Sequence, residues 1–195
     1  MSDSDFQVIV EAVEERNVKK VKKYIKSGGN ILSPDGKHSL FHVAAKFGCT
    51  EIIEALSDCK DDDDDDDDDI NYGRYPDGWT PLFVAARFGH VDTIKTLSVL
   101  GADVNTPSND GYTPVFIAAQ QGFADTVRTL CELGANFSTP DRKSGATPMY
   151  VAAQNDHITT INILAGFGTD VNTPQNDGTT EWSRECYKNS VCFRS

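Results

Sequence analysis

The hydrophobic and polar positions of the chain follow a pattern that repeats about every 33 residues. The block TPLFVAA at residues 80–86 recurs as TPVFIAA at 113–119 and as TPMYVAA at 147–153, at spacings of 33 and 34 residues. In each unit a second apolar stretch follows a polar break, as at residues 89–97. A period of this length is typical of stacked repeats, in which each unit buries its apolar side against its neighbours.

Each unit is predicted to contain two short helices joined and ended by glycine. Threonine followed by proline suits the N-cap and the first position of a helix. The paired alanines keep one side of that helix slim, and a bulky residue there would overpack by roughly 1–3 kcal/mol. Glycines stand where the first helix should end (Gly89, Gly122) and where the second should end (Gly101, Gly134, Gly168). Asp-Gly and Ser-Gly pairs between units indicate hairpin-like fingers.

These residues resemble the ankyrin repeat family, whose 33-residue unit of a turn and two helices carries T-P-L-H-x-A. The resemblance covers nearly the whole chain and implies an all-α fold, an ankyrin-repeat solenoid of stacked helix-turn-helix units with hairpin-like fingers. Two departures stand out. The histidine of the motif is replaced by Phe83, Phe116 and Tyr150, which favours aromatic packing. Asp156 occupies a glycine position, where a left-handed backbone would strain the fourth unit slightly.

The repeat pattern also predicts where the domain begins and ends. We expect a flexible N-terminus over residues 1–8, an ankyrin repeat domain over 9–182 and a degenerate C-terminal tail over 183–195. The domain divides into an N-terminal cap (9–38) and four units (39–79, 80–112, 113–146, 147–179). The first unit is eight residues too long. An acidic loop insertion at 61–68 accounts for the excess, because residues 69–71 match residues 103–105.

Composition narrows the function classes further. The 195 residues carry a formal net charge of −12, of which nine charges lie at residues 61–69 and −3 remains elsewhere. This balance argues against nucleic-acid binding. No apolar run approaches the roughly 20 residues of a membrane span, and the first residues lack a secretory signal. We therefore expect an intracellular, cytoplasmic protein, with the nucleus as an alternative, whose five cysteines are reduced thiols.

Catalytic chemistry is not indicated by the sequence. Of four histidines, His42, His90 and His157 occupy repeat positions with packing or helix-start roles, and His38 lies in a turn. No phosphate-binding glycine loop, metal-binding histidine helix or nucleophile elbow occurs. The cysteines show no CxxC spacing. We expect no enzyme activity, no cofactor and no metal.

The resemblance implies a protein–protein interaction module that acts as a monomer and binds a protein partner on its concave face and finger tips. Carried over by position, the partner-binding residues are Lys46, Phe47, Tyr75, Trp79, Arg87, Phe88, Tyr112, Gln120, Gln121, Arg142 and Lys143. We expect the aromatic residues of this set to contribute most of the binding energy, because aromatic residues and arginine dominate interface hot spots. Solvated surface, or stacking of Phe47 and Phe88 between helices, is the competing interpretation.

Two alternative functions remain open. The chain could be a regulatory or targeting fragment of a larger enzyme or ligase. Alternatively, the acidic insertion could bind basic proteins or calcium, although it encodes no ordered ligand cage. The resemblance also implies that an asparaginyl hydroxylase could modify Asn105 and Asn172. The competing role for these asparagines is to hold the fingers through bonds from side chain to backbone.

Overall fold

A computed structural model describes residues 3–58, 70–71 and 77–169, and that part of the chain folds into ten α-helices without a β-strand. The helices are α1 (Asp3–Glu14), α2 (Val18–Lys26), α3 (Leu40–Phe47), α4 (Thr50–Ser57), α5 (Pro81–Phe88), α6 (Val91–Val99), α7 (Pro114–Gln121), α8 (Ala124–Glu132), α9 (Pro148–Gln154) and α10 (Ile158–Gly166). None of them is long and apolar enough to cross a membrane. The all-α prediction is confirmed.

The chain divides into two compact units, Met1–Asp103 and Val104–Ser195. In the first unit, α3 packs between α1 and α5, and α4 packs between α2 and α6, so two layers of helices form. The paired alanines Ala44, Ala45, Ala85 and Ala86 are fully buried. Small side chains therefore lie where α3 and α5 approach one another, as the sequence predicts.

The second unit repeats the same two-layer arrangement. Helix α7 packs against α9, α8 packs against α10, and each helix pair also packs internally. The largest fully buried side chains are leucine and isoleucine from the second layer, such as Leu130, Ile161 and Leu164. Burial of such side chains contributes roughly 1.5–3 kcal/mol each, so the stacking of helix pairs stabilises the unit.

The first helix of each pair begins with a side-chain cap. The hydroxyls of Thr80, Thr113 and Thr147 accept hydrogen bonds from backbone N–H groups three residues later, at 3.1–3.3 Å. A proline follows each threonine at the start of the helix. Helix α3 uses a capping box instead, in which Ser39 and His42 bond reciprocally. The predicted N-caps are confirmed, and each is worth about 1 kcal/mol.

The N-terminus differs from the sequence-based expectation of a flexible segment over residues 1–8. Helix α1 begins at Asp3, and Phe6 is only 4% exposed, with its ring 5.6 Å from that of His38. Phe6 and Ile9 lie three residues apart on one helical face, and both are buried. The apolar stripe therefore starts earlier than the cap boundary at residue 9.

The residues that follow the acidic insertion return to the repeat pattern. Ile70 is 6% exposed, as Val104 is 8% exposed at the matching position. Asn71 uses its side chain as Asn105 does, accepting from one backbone N–H and donating to one backbone carbonyl of the next repeat. Eight extra residues therefore separate two normal repeat positions. The insertion itself (61–68) and the predicted tail (183–195) lie outside the described residues.

Candidate functional site

A cluster of cations and aromatic rings lies on the first helices of the first unit. The Nζ of Lys46 is 5.2 Å from the centre of the Phe47 ring, and the guanidinium of Arg87 is 4.8 Å from the centre of the Trp79 ring. We call Lys46, Phe47, Trp79, Arg87 and Phe88 the cation–aromatic cluster. The sequence predicts all five as partner-binding residues, but it does not predict their pairing.

A histidine joins the two halves of this cluster. The Phe88 ring, which is 42% exposed, stacks beside His90 with the ring centres 6.4 Å apart and the planes 19° apart. The Nε2 of His90 donates to the carbonyl oxygen of Lys46 at 2.9 Å. The exposed phenylalanine of α5 is thus connected through one imidazole to the last turn of α3.

The same turn of α3 is held from the other side by the N-terminal helix pair. Arg16 donates to the carbonyl oxygens of Phe47 at 2.8 Å and of Gly48 at 3.4 Å. The last carbonyls of a helix otherwise have no partner within the helix. Side chains from both neighbouring pairs therefore satisfy backbone carbonyls at the end of α3. Sequence reasoning missed this role of Arg16.

Two of the predicted aromatic residues support the scaffold as well as the surface. Trp79 stacks on Phe83 with the ring centres 5.4 Å apart, and Tyr112 stacks on Phe116 at 4.9 Å. Phe83 and Phe116 stand where the ankyrin motif has histidine. Stacked rings thus replace the polar contact, as the sequence predicts. Trp79 and Tyr112 are half-buried as a result.

The second unit presents amides and a basic finger in place of such a cluster. On α7, Gln121 is exposed, and the carbonyl oxygen of the half-buried Gln120 accepts from the Nε2 of His157 at 3.1 Å. Arg142 and Lys143 are exposed on the finger before α9. An amide surface can form hydrogen bonds with a partner but offers little apolar area.

A buried carboxylate shapes that basic finger. Asp141 is 3% exposed and accepts hydrogen bonds from the backbone N–H groups of Lys143, Ser144 and Ala146 and from the Ser144 hydroxyl. Burial alone would raise the pKa of this carboxyl, but these hydrogen bonds outweigh it and hold the pKa below its usual value of 3.8. Asp141 therefore fixes the turn that exposes Arg142. Apart from an Asp near a Gly, no sequence signal indicates this network.

An open cleft of about 320 Å³ lies between the two fingers of the second unit. Its walls include Pro107, Pro140 and Arg142, and the base of Arg142 lies over Gly111, where an added Cβ would be 2.5 Å from the arginine Cγ. A side chain larger than hydrogen at this position would displace Arg142. The finger tips of this unit thus enclose a groove wide enough for a short side chain of a partner.

Asparagine side chains connect successive fingers. Asn105 accepts from the backbone N–H of Asn136 at 2.7 Å and donates to the carbonyl oxygen of Gly134 at 3.5 Å. These contacts are those of an asparagine that holds the finger. Modification of Asn105 stays a prediction, as does that of Asn172, which lies outside the described residues together with Tyr75.

The cysteines in the described part of the chain have buried thiols. Cys49 and Cys131 are free, and burial raises the pKa of both thiols, to about 11 for Cys131. Thiols with raised pKa values are poor nucleophiles and poor metal ligands. Among the described residues, no group of three or more histidine, cysteine, aspartate or glutamate side chains could hold a metal ion.

Comparison with known proteins agrees with this architecture. The family model described as ankyrin repeats (3 copies) matches residues 9–108 and 98–175. No curated protein matches the chain. Ankyrin repeats are generally protein–protein interaction modules, and the family is typically non-enzymatic. The two matches cover well over half of the sequence, and the chain therefore belongs to the ankyrin repeat family.

Proposed function

We propose that this protein binds a protein partner through the exposed face of its first helices and through its finger tips. The observation that carries the proposal is the cation–aromatic cluster. Phe88 is one of the few large apolar side chains in the described residues that is substantially exposed, and it directly follows Arg87, which stacks on Trp79. Arginine and aromatic side chains placed together are the usual centres of binding energy in protein interfaces.

The order of the cluster favours tight binding. Capped helices and the carbonyl contacts of His90 and Arg16 hold the backbone that carries the cluster, and Arg87 is stacked on Trp79 before a partner arrives. Ordering a mobile side chain at an interface costs about 0.5–1.5 kcal/mol. A surface that is already ordered avoids much of this cost.

The predicted residues of the second unit would add polar contacts. Gln121, Arg142 and Lys143 are exposed, whereas Gln120 and Tyr112 are half-buried. Exposed polar and charged residues at an interface contribute mainly to specificity and to the association rate. The proposal therefore assigns most of the binding energy to the cluster and less to these five residues.

A comparison of two alanine variants tests the proposal. Phe88→Ala removes the exposed ring of the cluster, and Val99→Ala removes an apolar side chain that is 87% exposed on the other layer of the first unit. Proteins captured from a lysate by the unchanged chain are compared quantitatively by mass spectrometry with those captured by each variant. We expect Phe88→Ala to lose partners that Val99→Ala retains, with equal helical circular dichroism in both.

Capture that is identical for the unchanged chain and for Phe88→Ala would contradict the proposal. The alternatives of a fragment of a larger enzyme or ligase and of an acidic-loop binder stay predictions. The second of these depends on residues 61–68, and deletion of that segment in the same capture experiment tests it.

A further inference from the structure

The first helices of the two units differ in charge. Helices α3 and α5 each carry one cation in the last turn, Lys46 and Arg87, and neither helix contains a carboxylate. Helices α7 and α9 carry no charged residue at all. Helix α1, the first helix of the N-terminal pair, carries four acidic residues and no cation, so the basic part of the first-helix face is confined to α3 and α5, in a protein whose formal net charge is −12.

The two cations of α3 and α5 are placed for a common ligand. Each directly follows the alanine pair of its helix, so they occupy matching turns of two helices that pack together, and packed helix axes are about 8–10 Å apart. Within the described residues, neither cation lies within ion-pair distance of a carboxylate. The exposed Asp77, two residues before Trp79, does not pair with Arg87.

The aromatic rings hold these cations in positions from which they can bind carboxylates. The guanidinium of Arg87 lies over the indole of Trp79, and a guanidinium held by an aromatic face keeps its N–H edge available for a bidentate contact. Lys46 lies over Phe47 and offers a point charge. Phe88, 42% exposed and adjacent to Arg87 in the helix, supplies apolar area next to that guanidinium-bearing residue.

We propose that the cation–aromatic cluster binds a partner segment that carries two carboxylates, about 8–10 Å apart, next to an apolar side chain that packs on Phe88. This inference rests on the proposed function and specifies the chemistry of the partner. One carboxylate pairs with Arg87 through two hydrogen bonds, and the other pairs with Lys46. Hydrogen bonds between charged groups contribute more binding free energy than hydrogen bonds between neutral groups.

A protein segment fits this site better than a nucleic acid does. Nucleic-acid binding draws its affinity from neutralisation of many phosphates along a basic track. Only two cations stand on α3 and α5, and the net charge of −12 repels an extended polyanion at long range. A short acidic and apolar segment uses both the charges and the ring without extending over the acidic remainder of the protein.

Selection from a random dodecapeptide library displayed on phage tests the inference and requires no named partner. The full chain is the bait, and the affinities of the selected peptides for the unchanged chain and for charge-reversal variants are measured by fluorescence anisotropy. We expect Asp and Glu beside Phe, Leu or Trp to be enriched. We also expect Arg87→Glu to weaken the selected peptides by about tenfold or more, and Lys46→Glu to weaken them by a smaller factor.

The matched control is Lys95→Glu, which makes the same change in net charge at an exposed position on α6. Lys95→Glu should change the affinity for the selected peptides by less than about twofold, because exposed charges more than a Debye length of about 8 Å away are largely screened. Equal weakening by Lys95→Glu and Arg87→Glu would mean that only the overall charge acts, and the inference would be overturned.

A fourth variant, Phe88→Ala, separates this inference from the proposed function. If peptides bind and Phe88→Ala weakens them, but they carry no acidic enrichment and resist Arg87→Glu, then the cluster is a binding surface whose partner is not acidic. If the selected peptides resist Phe88→Ala and both charge reversals, the cluster is not the binding surface and both proposals fail. Selection of phosphate-rich nucleic acid over acidic peptides in direct competition would also refute the acidic protein segment.

Discussion

One backbone position at the end of each first helix decides how the helix pairs join. Gly48, Gly89 and Gly122 hold it with φ of +64°, +76° and +76°, and Arg16 and Asp156 hold it with φ of +56°. This left-handed conformation costs a residue with a Cβ about 1 kcal/mol or more, whereas glycine adopts it freely. The strain predicted for Asp156 from sequence is thus present in the backbone, and helix α9 is one residue shorter than α7.

Replacement of Gly122 by alanine should destabilise the protein by about 1–3 kcal/mol. An added Cβ would lie 2.6 Å from Nδ1 of His157, so the substitution strains the backbone and displaces the imidazole that bonds to Gln120. Urea unfolding, monitored by circular dichroism, measures the decrease in the free energy of unfolding. Gly134→Ala is the matched control, because it has a similar φ of +88° but no atom within 4 Å of the new Cβ. A loss no larger than that of the control would show that the histidine contact contributes nothing.

The reverse substitution at the matching position of the last described helix pair should stabilise it. Asp156→Gly removes the left-handed strain at φ +56° and is expected to raise the free energy of unfolding by about 0.5–1 kcal/mol. Differential scanning calorimetry at neutral pH measures the change in midpoint. A lower midpoint would indicate that the Asp156 side chain stabilises the turn by more than the strain costs.

The buried Asp141 predicts a specific loss of stability in acid. Its pKa is held below the usual 3.8 in the folded protein, so the unfolded chain takes up the proton first as the pH falls. The stabilising contribution is therefore complete above about pH 4 and is lost as the pH falls through the lower, folded value. We expect Asp141→Asn to destabilise the protein at pH 7 and to flatten the decline in stability below pH 4. Asp110→Asn, exposed on the preceding finger, is the control and should leave that decline unchanged.

At the scale of the element, the amino-acid sequence of α2 contains charge repulsion that disfavours a helix. Its sequence VKKVKKYIK has five exposed lysines and no acidic residue in the first turn. Lys19, Lys22, Lys23 and Lys26 fall on one stripe at spacings of three and four residues. Like charges at these spacings destabilise a helix by about 0.2–0.5 kcal/mol per pair. The buried Val21 and the Asn17 cap, which accepts from the N–H of Lys20, stabilise the helix against this repulsion.

Reversal of one of these charges should stabilise the protein. Lys19→Glu places a negative charge in the first turn, removes repulsion and creates a Glu–Lys pair four residues apart with Lys23, for a gain of about 0.5–1 kcal/mol at low salt. Lys26→Glu makes the same charge change in the last turn, where the helix dipole disfavours a negative charge, and should give a smaller gain in stability. Thermal unfolding at low salt (about 20 mM) and at high salt (about 500 mM) compares the two. Equal effects of both variants would mean that the net charge, and not the position in the helix, sets the stability.

Elements whose signals are local could be predicted from the sequence, and contacts between elements could not. Threonine caps, glycine ends and alanine pairs each act within a few residues, so their periodic recurrence identifies the helices. The start of α1 was missed because the resemblance begins only at its second turn. The stacking of Arg87 on Trp79 and the carbonyl contacts of Arg16 and His90 join residues that only the packed helices bring together. The sequence therefore predicts which residues form the surface better than how they pair.

At the scale of the whole molecule, most of the net negative charge lies in one segment, and the repeat pattern lies in the rest of the chain. Nine of the thirty acidic residues lie in one run at 61–69, within a segment that the repeat pattern does not need. Ile70 and Asn71 occupy normal repeat positions directly after it, with the burial and hydrogen bonds of Val104 and Asn105. The fold of each unit thus depends on its helix pairs, whereas the overall charge depends mainly on this run.

Deletion of residues 61–68 should therefore leave the fold intact. The shortened chain has the regular 33-residue spacing between residues 39 and 80, and a shorter loop costs slightly less entropy to close, about 0.6 kcal/mol per halving of length. We expect unchanged helical circular dichroism, a free energy of unfolding equal to or up to about 1 kcal/mol above that of the full chain, and a weaker dependence on salt. A variant with the eight aspartates replaced by serine keeps the length and removes the charge, so it separates the two effects. Loss of helical structure in the deletion variant, with the serine variant stable, would show that the length of this segment is required, and would contradict the alignment of Ile70 with Val104.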